Sequence, residues 1–310
     1  MSKKQIKQST EASSLRKRRQ SAEAAAPGGR VKDSSHQLPD ATTDEVPIKT
    51  RSLAREHLES AIVTMIMALF FMTFVGQVAA VPSASMQNTI LVGDHFLINK
   101  FVFAPGPHLP FLPQRDVKRG DVIVFKYPAP TDRSVREAAS EVEQYKTFFI
   151  KRVIGLPGET IEVRNASVLI NNQVLQEHRV TTQPRGERID KAPLKILSNS
   201  ARQVEEPYSV YYDPRTINSP LGLVNHAPPG FQYAVNGQSF VIPANSYFVM
   251  GDNRDDSADS RVWGVVPRDL VVGRALFVIW SYDESAPSNG FFLIDFFRNT
   301  RWKRTGTLIR

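Results

Sequence analysis

From Ala61 to Val81 the chain reads AIVTMIMALFFMTFVGQVAAV, a run without a charge and with only Thr64, Thr73 and Gln77 polar. About 20 apolar residues carry a helix across a hydrocarbon core of about 30 Å, so this run predicts one transmembrane helix. Val78-Ala79-Ala80 would also suit the cleavage site of a secretory signal. Such a signal, however, opens on a short basic segment and has a shorter apolar run, whereas a long polar stretch precedes this one. Lys49, Arg51 and Arg55 stand before the run and Asp94 is the first charge after it. That asymmetry predicts a cytoplasmic N-terminus, with everything beyond Val81 on the outer face.

Residues 1–60 are rich in Lys, Arg, Ser, Gln and Ala and show no apolar periodicity. Such a segment cannot bury enough surface to offset its chain entropy, which predicts a disordered basic cytoplasmic tail. A formal net charge of +8 suits nucleic acid or an anionic membrane. Beside a span, the Arg16-Lys17-Arg18-Arg19 cluster reads as a topology and lipid signal. The chain has no cysteine, which excludes a disulfide framework, a thiolate nucleophile and a cysteine metal site. Its six histidines form no HExxH pair, so zinc or a Ser-His-Asp arrangement has little raw material.

Beyond the span the sequence reads as mainly β. Short β-branched and aromatic runs occur at Phe96–Ile98, Asp121–Phe125, Phe149–Ile154, Thr160–Val163, Ser167–Ile170, Tyr247–Met250 and Ala275–Trp280. Gly155-Leu156-Pro157-Gly158 and Asn171-Asn172 punctuate them, the latter as a hairpin signal. This pattern predicts an antiparallel, barrel-like β domain. Its catalytic core would be 82–175 and 245–285, with 176–244 as an inserted polar lobe. Residues 286–310 form a basic-aromatic tail. Two apolar stretches stand out: Phe101, Phe103, Leu109, Phe111 and Leu112 in a Pro-rich loop, and Phe291–Phe297 in that tail. Each reads either as core strand or as a membrane-interface patch.

Directly after the span lies Val81-Pro82-Ser83-Ala84-Ser85-Met86-Gln87-Asn88-Thr89-Ile90. The plain reading of Ser83 and Ser85 is two loop hydroxyls bonding their own backbone. At a membrane exit, such a pair also suggests a nucleophile acting on something leaving the bilayer. With neither histidine nor cysteine at hand, its base must be another group. Lys151 lies within Phe148-Phe149-Ile150-Lys151-Arg152-Val153-Ile154, and on a strand it shares a face with Phe149 and Val153. An ammonium so placed is desolvated, which lowers its pKa toward the range of a general base.

Four segments together resemble the bacterial type I signal peptidases, membrane-bound serine proteases with a Ser/Lys dyad. They are Pro82–Met86, Arg119–Phe125, Lys151–Gly158 and Gly251–Arg261, the last reading GDNRDDSADSR. The resemblance implies Ser85 as nucleophile and Lys151 as general base, with the Ser83 hydroxyl and the Ser85 N–H forming the oxyanion hole. It implies that Ser257 orients the lysine amine and that Asp259 and Arg261 pair to hold that loop. It assigns Val81, Met86, Ile90, Phe149 and Ile150 to shallow apolar subsites for small residues. The substrates would be signal-peptide-bearing preproteins emerging from translocation, at the bacterial inner membrane with its lipid, and no nucleic acid would be involved. The family usually has proline where Asn88 stands and more often leucine where Ile90 stands, which would relax the loop and shift substrate fit. The run Asp252-Asn253-Arg254-Asp255-Asp256 invites a metal reading, but it lacks EF-hand spacing and the histidines of a two-metal phosphatase. No metal or cofactor is expected. The rival readings are a catalytically silent membrane scaffold of the same fold and a self-cleaving Ser/Lys regulator resembling the SOS repressors. Those regulators are soluble and carry a DNA-binding domain.

Overall fold

The computed structural model describes residues 52–104, 106, 114–128, 145–164, 167–183, 193–214, 238–288 and 290–310. The tail expected over 1–60 lies outside the described residues up to Arg51, as do Leu109, Phe111 and Leu112.

Helix α1 spans Leu53–Phe70 and continues as a π-helical turn over Phe71–Val75. Leu53–Val75 is long and apolar enough to cross a membrane, and none of it is buried against the protein. The helix therefore sits earlier in the chain than the apolar run. Its charged first turns are helical in their own right, with Arg55 and Glu59 paired one turn apart at 2.7 Å. At the other end Gly76–Ala80 leaves the helix and forms strand β1. β1 pairs antiparallel with β2 (Asp94–Asn99) from Gly76↔Asn99 to Ala80↔His95. The free edge of β2 supplies ladder bonds to alternate residues of this segment, and this outweighs the helical preference of a Gly-Gln-Val-Ala-Ala sequence.

The remaining strands are β3 (Val122–Lys126), β4 (Phe148–Gly155), β5 (Thr160–Arg164), β6 (Ser167–Ile170), β7 (Gln173–Val174) and β8 (His178–Thr182). They continue with β9 (Ile196–Asn199), β10 (Ser209–Tyr212), β11 (Phe240–Val241), β12 (Ser246–Met250), β13 (Val266–Pro267) and β14 (Val271–Ser281). A short helix α2 (Ser260–Trp263) follows β12, and helix α3 (Phe292–Asn299) follows β14. The principal sheet is antiparallel and curled, in the order β1-β2-β14-β3-β4-β12-β13. β11-β5-β6-β7 form a second sheet, whose Asn171-Asn172 turn has φ of 49° and 65°, the two positive angles a type I′ hairpin needs.

A third sheet, β10-β8-β9, lies in the segment expected as an inserted lobe, and its β8–β10 pair is parallel. Described residues of that segment pack into the core. Tyr208, Val210, Tyr212 and Ile242 pack in one cluster with Ile154, Phe248 and Met250. Phe291–Phe297, read as strand or interface patch, is largely the helix α3. Phe103, from the Pro-rich loop, is core.

Candidate active site

Ser85 occupies a tight 3-10 turn, Ala84–Met86, in the loop between β1 and β2. The turn is wound by bonds from Gln87 N–H to Ala84 O (2.9 Å) and from Ile90 N–H to Met86 O (2.8 Å). Asn253 clamps it from outside, donating its N–H to Ser85 O at 3.1 Å and its Nδ2 to Ala84 O at 3.1 Å. Thr89 Oγ1 donates to Asp252 Oδ2 at 2.6 Å. Gly251 lets these two loops meet. A Cβ there would come within 2.5 Å of Ser85 O and would overlap Ser257 Oγ.

β4 brings Lys151 in from the sheet. Its Nζ donates to Ser85 Oγ at 2.7 Å and to Ile150 O at 3.1 Å, and lies 5.4 Å from the Phe149 ring centroid. The side chain is buried. Burial pushes its amine down from the ordinary 10.5 to about 8, against the opposing pull of Asp259, with Arg261 reinforcing the drop. Ser83 is exposed, with its Oγ 3.4 Å from Ser85 Oγ.

Ser257 is buried next to this pair, but the bond to Lys151 that the motif implies is absent: the amine's partners are Ser85 and Ile150 O. Among the described residues Ser257 Oγ makes no hydrogen bond of full geometry, and its electrostatic contact is with the Asp259 carboxylate. Asp259 and Arg261 are joined by two bonds, Nε to Oδ1 at 2.9 Å and Nη2 to Oδ2 at 2.8 Å. Asp259 also accepts from Gly251 N–H at 3.0 Å, which ties the α2 end of the loop to the glycine under Ser85.

The residues assigned to an apolar pocket divide between two faces of the sheet. Val81, Met86, Ile90 and Ile150 share a buried cluster with Phe96, Ile98 and Ala275. Met86 and Ile90 are wholly buried, so they form a floor under the serine instead of a surface open to a ligand. Phe149 packs on the opposite face, with Phe125 and Tyr127. Asn88 does not relax its loop. It adopts φ of 71°, which proline cannot, and exchanges two bonds with Leu194, accepting from its N–H at 2.8 Å and donating to its carbonyl at 3.2 Å.

Sequence reasoning missed the ion pair that joins the two halves of the site. Arg152 meets Asp252 in a fork, at 2.7 and 2.6 Å, with both side chains buried. Arg152 points away from Lys151 and lies over the Tyr208 ring at 4.3 Å. Behind it, Arg254 is paired with Glu177 and bonded to Tyr212 Oη at 2.9 Å. The available signal was an arginine within a strand apolar on both faces, since a buried charge needs a counter-ion. Asp252 supplies it, which accounts chemically for the first member of the acidic run. Asp255 accepts from the Asp213 N–H.

A buried amine of lowered pKa hydrogen-bonded to a buried hydroxyl, beside an exposed second hydroxyl, is an arrangement able, once the amine is neutral, to deprotonate that hydroxyl and meet a developing oxyanion. Comparison with known proteins gives the family. Residues 54–280 match the family model described as "Signal peptidase, peptidase S26". Signal peptidase I of Aquifex aeolicus is 32% identical over 249 residues, covering 76% of this chain and 86% of that protein. Signal peptidase I of Leptolyngbya laminosa is 31% identical over 232 residues, covering 75% and 82%. That of Pseudomonas aeruginosa is 29% identical over 258 residues, covering 76% and 75%.

Proposed function

The chain belongs to the S26 signal peptidases and cleaves signal peptides, and on that premise we propose that Ser85 is its nucleophile and Lys151 its general base. The observation that carries this reading is the 2.7 Å bond between a buried amine and the Ser85 hydroxyl. With the amine at about 8, about a tenth of the protein holds it neutral at pH 7.

In the first step Ser85 Oγ bonds to the scissile carbonyl carbon while its proton passes to Lys151 Nζ. The Ser83 hydroxyl and the Ser85 N–H face the resulting oxyanion. Lys151 returns the proton to the departing amine as the C–N bond breaks, and the acyl-enzyme remains. Lys151 then takes a proton from water as the water oxygen adds to the acyl carbon, and returns it to Ser85 Oγ as the ester bond breaks and frees the new carboxyl end. Asp259 and Arg261 hold the loop that supports Gly251, and Ser257 lines the same corner. β12 pairs with β4 only from Arg152 to Gly155, which leaves the Phe148–Ile150 edge for an extended substrate to join by backbone bonds.

The protein acts on preproteins bearing signal peptides at the bacterial inner membrane, with its N-terminus cytoplasmic and the β domain on the outer face. Lys49, Arg51 and Arg55 on one side of the apolar run support that orientation. Two measurements on purified protein in detergent test the dyad. Ser85→Ala should lower preprotein cleavage by about a millionfold, and near-normal turnover would refute the nucleophile. For the wild type, kcat/KM should rise with pH and level off above about 8, where Lys151 has lost its proton. An acid optimum would rule out the lysine.

A further inference from the structure

The sheet β10-β8-β9 meets the loop of Ser85 at both of its edges. At the β10 edge, Tyr211 bridges in parallel to Asn253. Its N–H donates to Asp252 O at 2.8 Å, and its carbonyl accepts from Arg254 N–H at 3.0 Å. Asn253 is the residue that clamps Ala84 O and Ser85 O. At the β9 edge, Leu194 exchanges its two bonds with Asn88. Lys195 O accepts from Gln183 N–H at 2.8 Å, so Lys195 faces β8. Leu194, one residue earlier, therefore turns both of its backbone groups outward, where Asn88 meets them.

The sheet is also braced across its width. His178 of β8 bonds through Nδ1 to Ser209 Oγ of β10 at 2.8 Å, and its Nε2 donates to Ser200 O, just after β9, at 2.8 Å. Thr182 Oγ1 of β8 donates to Tyr212 O of β10 at 3.2 Å. The two edges that hold the serine loop thus belong to one cross-linked unit.

The turn that meets Leu194 has a matching chemistry. Gln87 has φ of −56° and ψ of 145°, Asn88 has φ of 71°, and Thr89 N–H donates to Met86 O at 3.1 Å. This is a type II turn, whose third residue is glycine or asparagine. Glycine would serve the backbone alone, whereas asparagine adds one acceptor and one donor for a peptide edge. Met86 O, which also accepts from Ile90 N–H at 2.8 Å, joins this turn to the 3-10 turn carrying Ser85. A displacement of Asn88 is passed to Ser85 through Met86.

We propose that the β10-β8-β9 sheet is a brace for the nucleophile loop, and that Asn88 is the positioning residue through which its β9 edge acts. The inserted segment then supports turnover without supplying a catalytic residue. This rests on Ser85 being the nucleophile. Asn88 is uncharged and is not among the groups that shift Lys151, so it sets where Ser85 Oγ stands and leaves the basicity of the amine alone.

The test uses the full chain in detergent with a preprotein substrate. Asn88→Gly keeps the turn and removes both bonds to Leu194. It should lower kcat about tenfold, leave KM within twofold, and leave the rising limb of the pH–rate profile at about 8. Leu194→Pro removes the N–H that Asn88 accepts. It should lower kcat in the wild-type background but add no further loss to Asn88→Gly. A kcat within twofold of wild type in Asn88→Gly would overturn the positioning role, as would losses that multiply in the double variant. A fall in kcat matched by an equal loss of folded protein in circular dichroism would leave the tie a structural part only. Ser85→Ala separates the two readings. Turnover in that variant would remove the nucleophile and with it the purpose of the brace. Its inactivity beside full kcat in Asn88→Gly would overturn the brace alone.

Discussion

Replacing Lys151 with methionine separates the cost of the buried amine from its use. The amine falls from 10.5 in the unfolded chain to about 8 when folded, which corresponds to about 3 kcal/mol of destabilisation while both states are protonated. For a base whose folded pKa is lowered, the unfolded chain holds more protons between those two values. Stability therefore rises with pH across that window. Below about 8 the penalty is complete, and it fades as pH approaches 10.5. Methionine has similar volume and no charge, so it carries no such dependence. The gap between Lys151→Met and wild type, read from urea unfolding in detergent micelles, should shrink by about 2 kcal/mol between pH 7 and pH 10. Other titrating groups act on both proteins and cancel. The variant should be inactive throughout. A gap independent of pH would refute the claim that burial lowers this amine, and preserved turnover would refute its use as base.

Gly251→Ala would drive a methyl against Ser85 O and Ser257 Oγ, and should lower kcat about 100-fold with the fold intact by circular dichroism. Asn88→Pro, which restores the residue usual in the family, should cost about 2 kcal/mol because it forbids φ of 71° and removes both bonds to Leu194. Asn88→Gly keeps the angle and should lose less, so equal losses in the two variants would count against the backbone explanation. Arg261→Met leaves the Asp259 carboxylate without its cation but still bonded to Gly251 N–H, and should move the rising limb of the pH–rate profile upward from about 8. A downward shift would contradict the assigned electrostatics.

Much of the fold was legible because strand residues of this chain alternate and their turns carry Gly, Pro and Asn-Asn signals. The β character of Phe96–Ile98, Phe149–Ile154 and Ala275–Trp280 is local, and each is a strand here. The end of the span was not local. Gly76–Ala80 is apolar enough to continue a helix, and only the edge of β2, distant from it in neither sequence nor space but invisible in composition, turns it into a strand. α3 was hidden for the opposite reason: its periodicity is helical, but the face it buries is the polar one. In the site, Ser85 and Lys151 could be read from motif and desolvation. The Arg152–Asp252 fork could not, because the two residues lie in different motifs and their register depends on β4 pairing with β12 at Met250↔Arg152.

The charges around Lys151 explain how its amine can be lowered in an interior that holds several carboxylates, as the proposed base requires. Asp259 is bonded to Arg261, and Asp252 to Arg152, each through two bonds. Both carboxylates attract Lys151, and Arg261 counters that attraction, so burial dominates and the amine falls. Had either carboxylate met Lys151 directly, the pairing would have raised the amine and kept it charged. The same acids also place the loop of Ser85, the proposed nucleophile, Asp252 through Thr89 and Asp259 through Gly251. Arg152 thus fixes a carboxylate that positions Ser85, while Arg261 has two effects: it fixes the other carboxylate, and it opposes the field of the acids on Lys151. Burial sets most of the basicity and the Asp259–Arg261 pair adjusts it while also positioning Gly251, which is why removing Arg261 should disturb the pH profile and not geometry alone.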